Sequence, residues 1–456
     1  MLLSREDARL LPPGLRRPPL MQVLSWVYRP VPFLTMCAKR YGDWFTVRFP
    51  RGYTFVFTTD PEAIRQVFAG DPDKLHAGKA NSILKPLLGD HSLLLLDGPD
   101  HFRERRLMMP PFHGERMHNY GKVMSQIASA AIARWPRGRA FPVQTETQGM
   151  TLDIILRTVF GVEEGATLSE LRDAMNVMLR AGTNSRVINF VGRDGKIPFE
   201  SLQLALGNLS PWGRIAKLIA NVDRILLAEI AKRRGEKDSK RTDVLTLLLA
   251  AKDDKGEGLT DKELRDEMMT LLVAGHETTA TTLSWLFWRL TQHPEIQDKL
   301  RAEINAGPMD PTRILQLPYL DAVIKETLRL NPIIPFVARW VVEPVTIAGH
   351  TIPKNVMIAP CIFLSHRRAD HWPEPERFHP ERFLDKRLSG NEFFPFGGGS
   401  RRCIGMAFAL FEIKIIVAEA VSRLKLLPKP GYKAGLVRRG ISFAPSQGMP
   451  LVAEPF

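Results

Sequence analysis

Hydrophobic positions recur with helical spacing along most of the chain, and this pattern predicts a mainly helical fold. The clearest segment runs from about Thr260 to His293. Thr260 and Glu263 have the spacing of a capping box, and Pro294 suits the first turn of a following helix. At 1.5 Å per residue this helix should be about 50 Å long. Its second half is apolar on most sides, so we expect it to cross the middle of the protein.

Two stretches predict a small β region beside the helices. Residues 44–59 alternate in polarity, are rich in aromatic and β-branched side chains, and have Gly52 near their middle, so we expect a hairpin. Residues 337–358 form a second β-rich stretch. Several glycines and prolines break the helical pattern over residues 184–214, where we expect a long irregular connection.

Composition favours a large, soluble, single-domain protein. The chain has 456 residues, 44% of them hydrophobic, which is ample for a sizeable core. We find no internal repeat and no linker that divides the chain, so we expect one domain over residues 1–456. The cysteines are three, an odd number, and their spacing fits neither a disulfide framework nor a zinc site. Residues 1–20 lack an apolar stretch long enough for an anchor, which predicts a cytoplasmic location.

One ten-residue stretch carries the strongest chemical signal. Residues 396–405 read FGGGSRRCIG and match the pattern F-x-x-G-x-R-x-C-x-G at every fixed position. The glycines allow a tight backbone turn under a flat cofactor. Cys403 stands just before an apolar helical run from Met406, where amide dipoles favour an anionic sulfur. This arrangement suits a thiolate that binds one metal ion axially, and the alternative is a buried structural cysteine.

With this loop the sequence resembles the cytochrome P-450 family, and the likeness extends over nearly the whole chain. The resemblance implies a mainly α fold with a small β region. It also implies that haem b (iron protoporphyrin IX) lies between the long helix and the cysteine loop. Cys403 would then be the proximal iron ligand, and Phe396 and Gly399 would contact the haem. The soluble bacterial members are the most similar type.

Within the long helix, Ala274 and Thr278 share one face by their i, i+4 spacing, with Gly275 close by. Small residues would let a macrocycle and O2 approach the backbone, and a mid-helix threonine can bond a carbonyl one turn back. The resemblance implies an acid–alcohol pair formed by Glu277 and Thr278, which delivers protons for O2 cleavage. The alternative is a small-residue packing face. His276 is expected to line the helix or to face solvent, and not to bind iron.

A second motif, E-x-x-R, places Glu326 and Arg329 one helical turn apart, where they can pair. Such pairs are common on solvated helices. The resemblance implies that a later segment folds back so that Arg382 joins them. This ion triad would fix the scaffold around the cysteine loop and take no part in chemistry.

Four cationic positions are candidates for the two haem propionates. His101 and Arg105 lie on one helical face, and Arg339 and Arg401 match further contacts implied by the resemblance. Arginine suits carboxylates because its planar fork binds them bidentately. For His101 and Arg105 the alternative is an exposed basic helix.

The resemblance implies a haem-thiolate monooxygenase that inserts one oxygen atom of O2 into a substrate and reduces the other to water. The cysteine thiolate favours O–O cleavage. Two alternatives remain open. One is a peroxide-driven peroxygenase or a haem-thiolate isomerase or dehydratase, and the other is a non-enzymatic haem-based gas sensor or carrier. The Glu277–Thr278 pair argues against both.

Electrons should come from a separate ferredoxin or flavodoxin with its reductase, since no flavin or iron–sulfur domain is fused. The net charge of +14 fits an acidic redox partner. No basic stripe is interleaved with aromatics, so nucleic-acid binding is not expected. The densest basic cluster, residues 232–241, is expected to form a loop between helices. We expect a monomer.

The segments that line the pocket in relatives are mostly apolar here, which favours a lipophilic substrate such as a fatty acid, terpenoid or steroid. Their apolar residues are Ile83, Leu84, Leu87, Leu88, Leu93, Leu94, Ile333, Ile334, Phe336, Val337 and Phe443. The candidate polar anchors are Lys79, Lys85, His91 and Gln447.

Overall fold

The computed structural model describes residues 3–112, 116–162, 166–182, 197, 203–204, 206–236, 241–384 and 388–456. Helices dominate this part of the chain, as the periodicity predicts. The α-helices are Arg5–Leu10, Pro19–Tyr28, Pro30–Tyr41, Pro61–Ala69, Ala77–Ala80, Lys85–Leu88, Gly98–Met108, Arg116–Ala133, Val143–Thr158, Ala166–Gly182, Pro211–Gly235, Val244–Ala250, Asp261–Gln292, Pro294–Asn305, Pro311–Leu315, Pro318–Leu330, Ile362–Ser365 and Met406–Arg423.

The central helix (Asp261–Gln292) has the predicted ends. The Thr260 side chain accepts a hydrogen bond from the Glu263 amide at 3.2 Å, and the Glu263 carboxylate accepts one from the Thr260 amide at 2.7 Å. This reciprocal pair is the predicted capping box. Every residue from 279 to 287 is buried, so the second half of the helix crosses the interior. The helix packs most extensively on Val143–Thr158.

The strands form four small sheets. They are β1 (Trp44–Arg48), β2 (Thr54–Thr58), β3 (Leu75–His76), β4 (Ala140–Pro142), β5 (Arg339–Val341), β6 (Val345–Ile347), β7 (His350–Ile352), β8 (Met357–Pro360), β9 (Leu424–Pro428), β10 (Leu436–Arg439), β11 (Ser442–Pro445) and β12 (Pro450–Pro455). The largest sheet has the order β1-β2-β8-β5-β3, in which β1 and β2 form the predicted antiparallel hairpin. Strands β2 and β8 pair in parallel. The others are β4-β12-β9, β10-β11 and β6-β7.

The largest apolar core lies between the central helix, the helices Arg116–Ala133 and Val143–Thr158, and the cysteine helix (Met406–Arg423). A second core lies under the five-stranded sheet and includes Cys37 and Cys361. Both cysteines are fully buried free thiols, and burial raises the pKa of each to about 12. No helix in the described ranges is both long and apolar enough to cross a membrane.

Two sequence expectations were wrong in part. The connection predicted over 184–214 lies mostly outside the described residues, but its end is helical, because the Ser210 side chain caps a helix that begins at Pro211. The basic cluster 232–241 is not a loop over its first residues, which form the last turn of that helix. Arg233 is buried there, within 2.6 Å of Glu229 and 2.8 Å of the Phe160 carbonyl. Residues 237–240 lie outside the described ranges.

Candidate active site

The cysteine loop, residues 396–405, turns tightly, and two of its glycines, Gly398 and Gly399, lie against Phe68. Gly399 has a φ of 63°, in the left-handed region that favours glycine. A Cβ on Gly399 would lie 1.9 Å from the Phe68 carbonyl oxygen, and one on Gly398 would lie 2.3 Å from the Phe68 ring. The tight turn is confirmed. The contact of Gly399 with a cofactor stays a prediction, since its need for glycine is explained by Phe68.

Cys403 stands at the end of this turn, just before the cysteine helix. Its amide donates a hydrogen bond to the Phe396 carbonyl at 3.0 Å, which closes the loop. Gly405 caps the helix that follows. The sulfur therefore lies near a helix N-terminus, as the sequence predicts.

The exposure of Cys403 distinguishes it from the other two cysteines. Its side chain is accessible, whereas Cys37 and Cys361 are buried, so the structural-cysteine alternative describes those two. The surrounding protein nevertheless desolvates the Cys403 thiol and raises its pKa, and the Gly405 amide and Arg105 oppose this increase. The expected stabilisation of the thiolate is present but is outweighed by desolvation.

The predicted small-residue face lies on the central helix. The Thr278 hydroxyl donates a hydrogen bond to the Ala274 carbonyl at 2.6 Å, and Ala274 is exposed although its helix crosses the interior. Gly275 has a different surrounding, because a Cβ on it would lie 3.1 Å from Cδ1 of Ile155. The absence of a side chain at Gly275 therefore permits close packing of two helices. This packing alone explains why residue 275 is a glycine, and the contact of Gly275 with a cofactor stays a prediction.

Glu277 and His276 come directly before Thr278 in the central helix, and their side chains have different neighbours. Burial raises the pKa of Glu277, and the charge of Arg439 opposes the shift. The Glu277 carboxyl thus holds a proton more readily than an exposed glutamate does. His276 is buried, with Nε2 3.0 Å from the Gln148 carbonyl, and burial lowers its pKa to about 4. His276 lines the helix, as expected, and contacts the neighbouring helix.

The four predicted propionate-binding residues, His101 and three arginines, come from three separate elements and influence one another. Burial and then the charges of Arg401, Arg105 and Arg339 lower the pKa of His101 to about 3. Burial and then Arg401 lower the pKa of Arg339 to about 10. The helix Gly98–Met108, strand β5 and the cysteine loop therefore bring these side chains together.

This cation cluster is poor in negative charge, which is the test of whether a haem would fit. Arg401 donates to the Asp97 carboxylate at 2.6 Å. Arg339 donates to the Ala338 carbonyl at 3.1 Å, and Arg105 donates to the Arg402 carbonyl at 2.7 Å. Grouped, desolvated cations repel one another unless anions are supplied. Two carboxylates of a cofactor would supply them, so the residues present fit a haem with its propionates.

The predicted ion triad forms with good geometry. Arg329 donates to both oxygens of Glu326 at 2.7 and 2.9 Å, and Arg382 donates to one of them at 3.2 Å. The side chains of Glu326 and Arg329 have no exposed area. Arg329 also donates to the His366 carbonyl at 2.8 Å, which joins the helix Pro318–Leu330 to the segment before the cysteine loop.

Sequence reasoning missed the role of Asp97. Its carboxylate accepts from Arg401 at 2.6 Å and from the amides of Gly78 and Lys79 at 2.8 and 2.9 Å. It therefore ties the cysteine loop to the segment that follows β3. The only signal was an acid directly before the helix that carries His101, and an acid at that position usually indicates nothing more than a helix cap.

Comparison with known proteins agrees with this geometry. The family model "Cytochrome P450" matches residues 12–448. A Mycobacterium tuberculosis protein named cytochrome P450 135B1 is 42% identical over 429 residues, which are 93% of this chain and 87% of that protein. Cytochrome P450 135A1 of the same species is 37% identical and covers 98% of this chain and 95% of its own length.

Solved structures show the same fold. A retinoic acid-bound cyanobacterial CYP120A1 has a TM-score of 0.83 and 25% identity, covering 98% of this chain and 99% of that one. The chain belongs to the cytochrome P450 family, and its mainly α fold with small sheets is the fold of that family. Membership makes it a haem-iron oxidoreductase of the monooxygenase class.

Proposed function

We propose that this protein inserts one oxygen atom of O2 into a lipophilic small molecule, with haem b as its cofactor and electrons from a separate protein. The observation that carries the proposal is the combination of an accessible cysteine before a helix with a cluster of arginines, Arg105, Arg339 and Arg401, that is poor in negative charge. A gas sensor or carrier would need a haem site but no pair of residues that delivers protons to O2. The proton-handling pair on the central helix favours an oxygenase.

The residues that would hold the haem fall into three groups. Cys403 would supply the sulfur ligand to iron. The propionate contacts would be His101, Arg105, Arg339 and Arg401. Phe396, Gly399, Ala274 and Gly275 would lie against the macrocycle. When bound, the haem supplies the iron chemistry that activates O2, and the thiolate ligand favours O–O cleavage.

Glu277 and Thr278 would move protons toward the bound O2. Burial raises the pKa of Glu277, so its carboxyl takes up a proton more readily than an exposed glutamate does. The Thr278 hydroxyl donates to Ala274 and keeps lone pairs on its oxygen that can accept a hydrogen bond. The alcohol is thereby fixed in place on the face where Ala274 is exposed. Glu277 would supply the proton, and Thr278 would position its delivery.

The test is the amount of product formed per NADPH consumed by Thr278→Ala. Loss of a positioned proton donor costs about 10²–10⁴-fold in the step that it serves. We expect Thr278→Ala to bind haem and substrate yet to divert electrons to peroxide or water. Thr282→Ala is the matched control, because Thr282 donates to the carbonyl one turn back at 2.9 Å in the same way. A coupling ratio for Thr278→Ala equal to that of wild type would refute the relay.

A lipophilic substrate is supported by the apolar residues of the predicted pocket. Several are only half-buried, so part of their apolar surface stays accessible: Ile83, Leu84, Leu87, Leu94, Ile334, Phe336 and Val337. Leu88, Leu93, Ile333 and Phe443 are buried and lie within the cores, so they are weaker candidates. The solved structure of CYP120A1 contains retinoic acid, which is a lipophilic compound. Fatty acids, terpenoids and steroids should be screened for a substrate-induced shift of the haem absorption.

A ferredoxin or flavodoxin with its reductase would supply the electrons. Arg402 is exposed beside Cys403, and Lys122 is exposed on the helix that packs against the cysteine helix. These cations, with the net charge of +14, suit an acidic partner. We further propose a cytoplasmic monomer with a single domain.

A further inference from the structure

The surface helix (Pro19–Tyr28) presents apolar side chains to solvent. Leu20 is 61% exposed, Leu24 46% and Tyr28 72%, and their i, i+4, i+8 spacing puts them on one face. Met21 beside them is 50% exposed. A helix on the surface of a soluble protein normally shows polar residues on this side. A contiguous apolar patch of this kind marks a binding surface.

The orientation of the surface helix is fixed by its inner face. The Gln22 side chain is buried, donates to the Arg17 carbonyl at 2.7 Å and accepts from the Arg48 amide at 2.9 Å. Trp26 is buried, with its ring 5.6 Å from that of Phe336. A polar residue with specific bonds therefore points inward while leucines point outward. The apolar outer face is a property of the native packing.

The β10–β11 hairpin extends this apolar surface. Arg438 lies over the Trp26 ring at 5.4 Å, which places the hairpin beside the surface helix. On this hairpin Val437 in β10 is 38% exposed and Ile441 at the turn is 43% exposed. We call the surface helix and these two residues together the N-terminal apolar patch.

The chain around the patch is strongly basic. Residues 8–42 contain no aspartate or glutamate, and their basic residues are Arg9, Arg16, Arg17, Arg29, Lys39 and Arg40. An open cleft of about 820 Å³ adjoins the start of the surface helix. Four arginines line it, namely Arg16, Arg17, Arg40 and Arg48, and no acidic residue is among the described residues that do so. Arginine forks at such a cleft suit phosphate oxygens.

We propose that the N-terminal apolar patch docks on the surface of a membrane rich in anionic phospholipids. An apolar helical face beside clustered arginines is the chemistry of an interfacial helix, which inserts leucines at the acyl boundary and holds phosphate groups with its cations. The apolar side chains meet the lipid tails, and the arginine-lined cleft receives headgroups. The attachment is peripheral and reversible. It adds a location at a lipid surface to the proposed oxygenase activity and does not depend on that activity.

The test is co-sedimentation of the haem-loaded protein with phosphatidylcholine vesicles that contain either no anionic lipid or about one third phosphatidylglycerol. We expect binding only to the anionic vesicles, weakening as salt rises. The triple variant Arg16→Ala/Arg17→Ala/Arg40→Ala should bind on the order of 100-fold more weakly. Leu24→Glu should lose at least about tenfold, because it places a charge at the acyl boundary.

Matched controls are Leu315→Gln, which alters an exposed leucine outside the patch, and Lys354→Ala, which removes an exposed cation elsewhere. Both should bind vesicles like wild type. Absence of binding to anionic vesicles would overturn the proposal, and so would equal binding by Leu24→Glu and wild type. Lipid-independent dimerisation that Leu24→Glu abolishes would also overturn it, because the patch would then be an interface between copies of this chain. Each readout is binding, so failure here is distinguishable from failure of the proposed oxygenase function.

Discussion

Replacement of Glu326 by glutamine tests the buried ion triad most sharply. Glu326 accepts four hydrogen bonds: two from Arg329 at 2.7 and 2.9 Å, one from Arg382 at 3.2 Å and one from the His379 amide at 2.8 Å. Glutamine has nearly the same shape but keeps only one accepting oxygen, and its NH2 group would face donors. The Arg329 guanidinium, which has no exposed area, would lose its counter-charge.

The expected cost follows from what Arg329 retains. Breaking a buried pair by removing one partner typically costs about 3–5 kcal/mol in the free energy of unfolding. Arg329 would still donate to the carbonyls of His366 and Pro375 at 2.8 and 2.7 Å. Because these bonds partly compensate, we expect the lower end of the range, about 3 kcal/mol.

The assay is urea unfolding of the haem-loaded protein followed by circular dichroism. The matched control is Glu376→Gln, since Glu376 pairs with Arg367 at 3.0 Å but its side chain is 72% exposed. A surface pair of this kind contributes about 0–1 kcal/mol. If Glu326→Gln costs no more than Glu376→Gln, the buried triad does not stabilise the scaffold.

Two further predictions concern charge. Lys122→Glu should raise the KM for an acidic ferredoxin, whereas Lys354→Glu should leave it unchanged. The difference between the two variants should vanish near 1 M salt, where the Debye length is about 3 Å. Equal effects of the two substitutions on this KM would place the docking surface elsewhere. Burial, followed by the charge of Glu263, raises the pKa of Glu104 to about 8, although Arg103 opposes this shift. The folded protein therefore keeps a proton that the unfolded chain releases, and stability should fall as pH rises from about 5 to about 8. Glu104→Gln should flatten that part of the urea-midpoint profile, and an unchanged slope would contradict the assignment.

Local signals in the sequence located the elements well. The Thr260–Glu263 capping box correctly indicated a helix start near Thr260, because both halves of that motif act within one turn. The hairpin from Trp44 to Thr58 follows from alternation and from a glycine near its turn. The back-bond from Thr278 to Ala274 also depends only on helical geometry.

Contacts between distant segments could not be predicted from local patterns. Gly399 is glycine because Phe68, far away in the chain, lies against it, and the sequence of the loop contains no trace of that contact. The basic cluster 232–241 is expected to form a loop, yet Arg233 lies in the last turn of a helix and is buried against Glu229 and Asp243. The partnership of Asp97 with Arg401 likewise depends on how the chain brings two loops together.

The absorption spectrum of the reduced, carbon monoxide-bound protein shows whether the Cys403 sulfur binds the haem iron. If the Cys403 thiolate is the iron ligand, the main band of wild-type protein should lie near ~450 nm, as a thiolate ligand gives in this family. A folded, haem-containing Cys403→Ser variant should lose that band, and Cys361→Ser should keep it. A band near ~450 nm that persists in Cys403→Ser would show that another residue is the iron ligand.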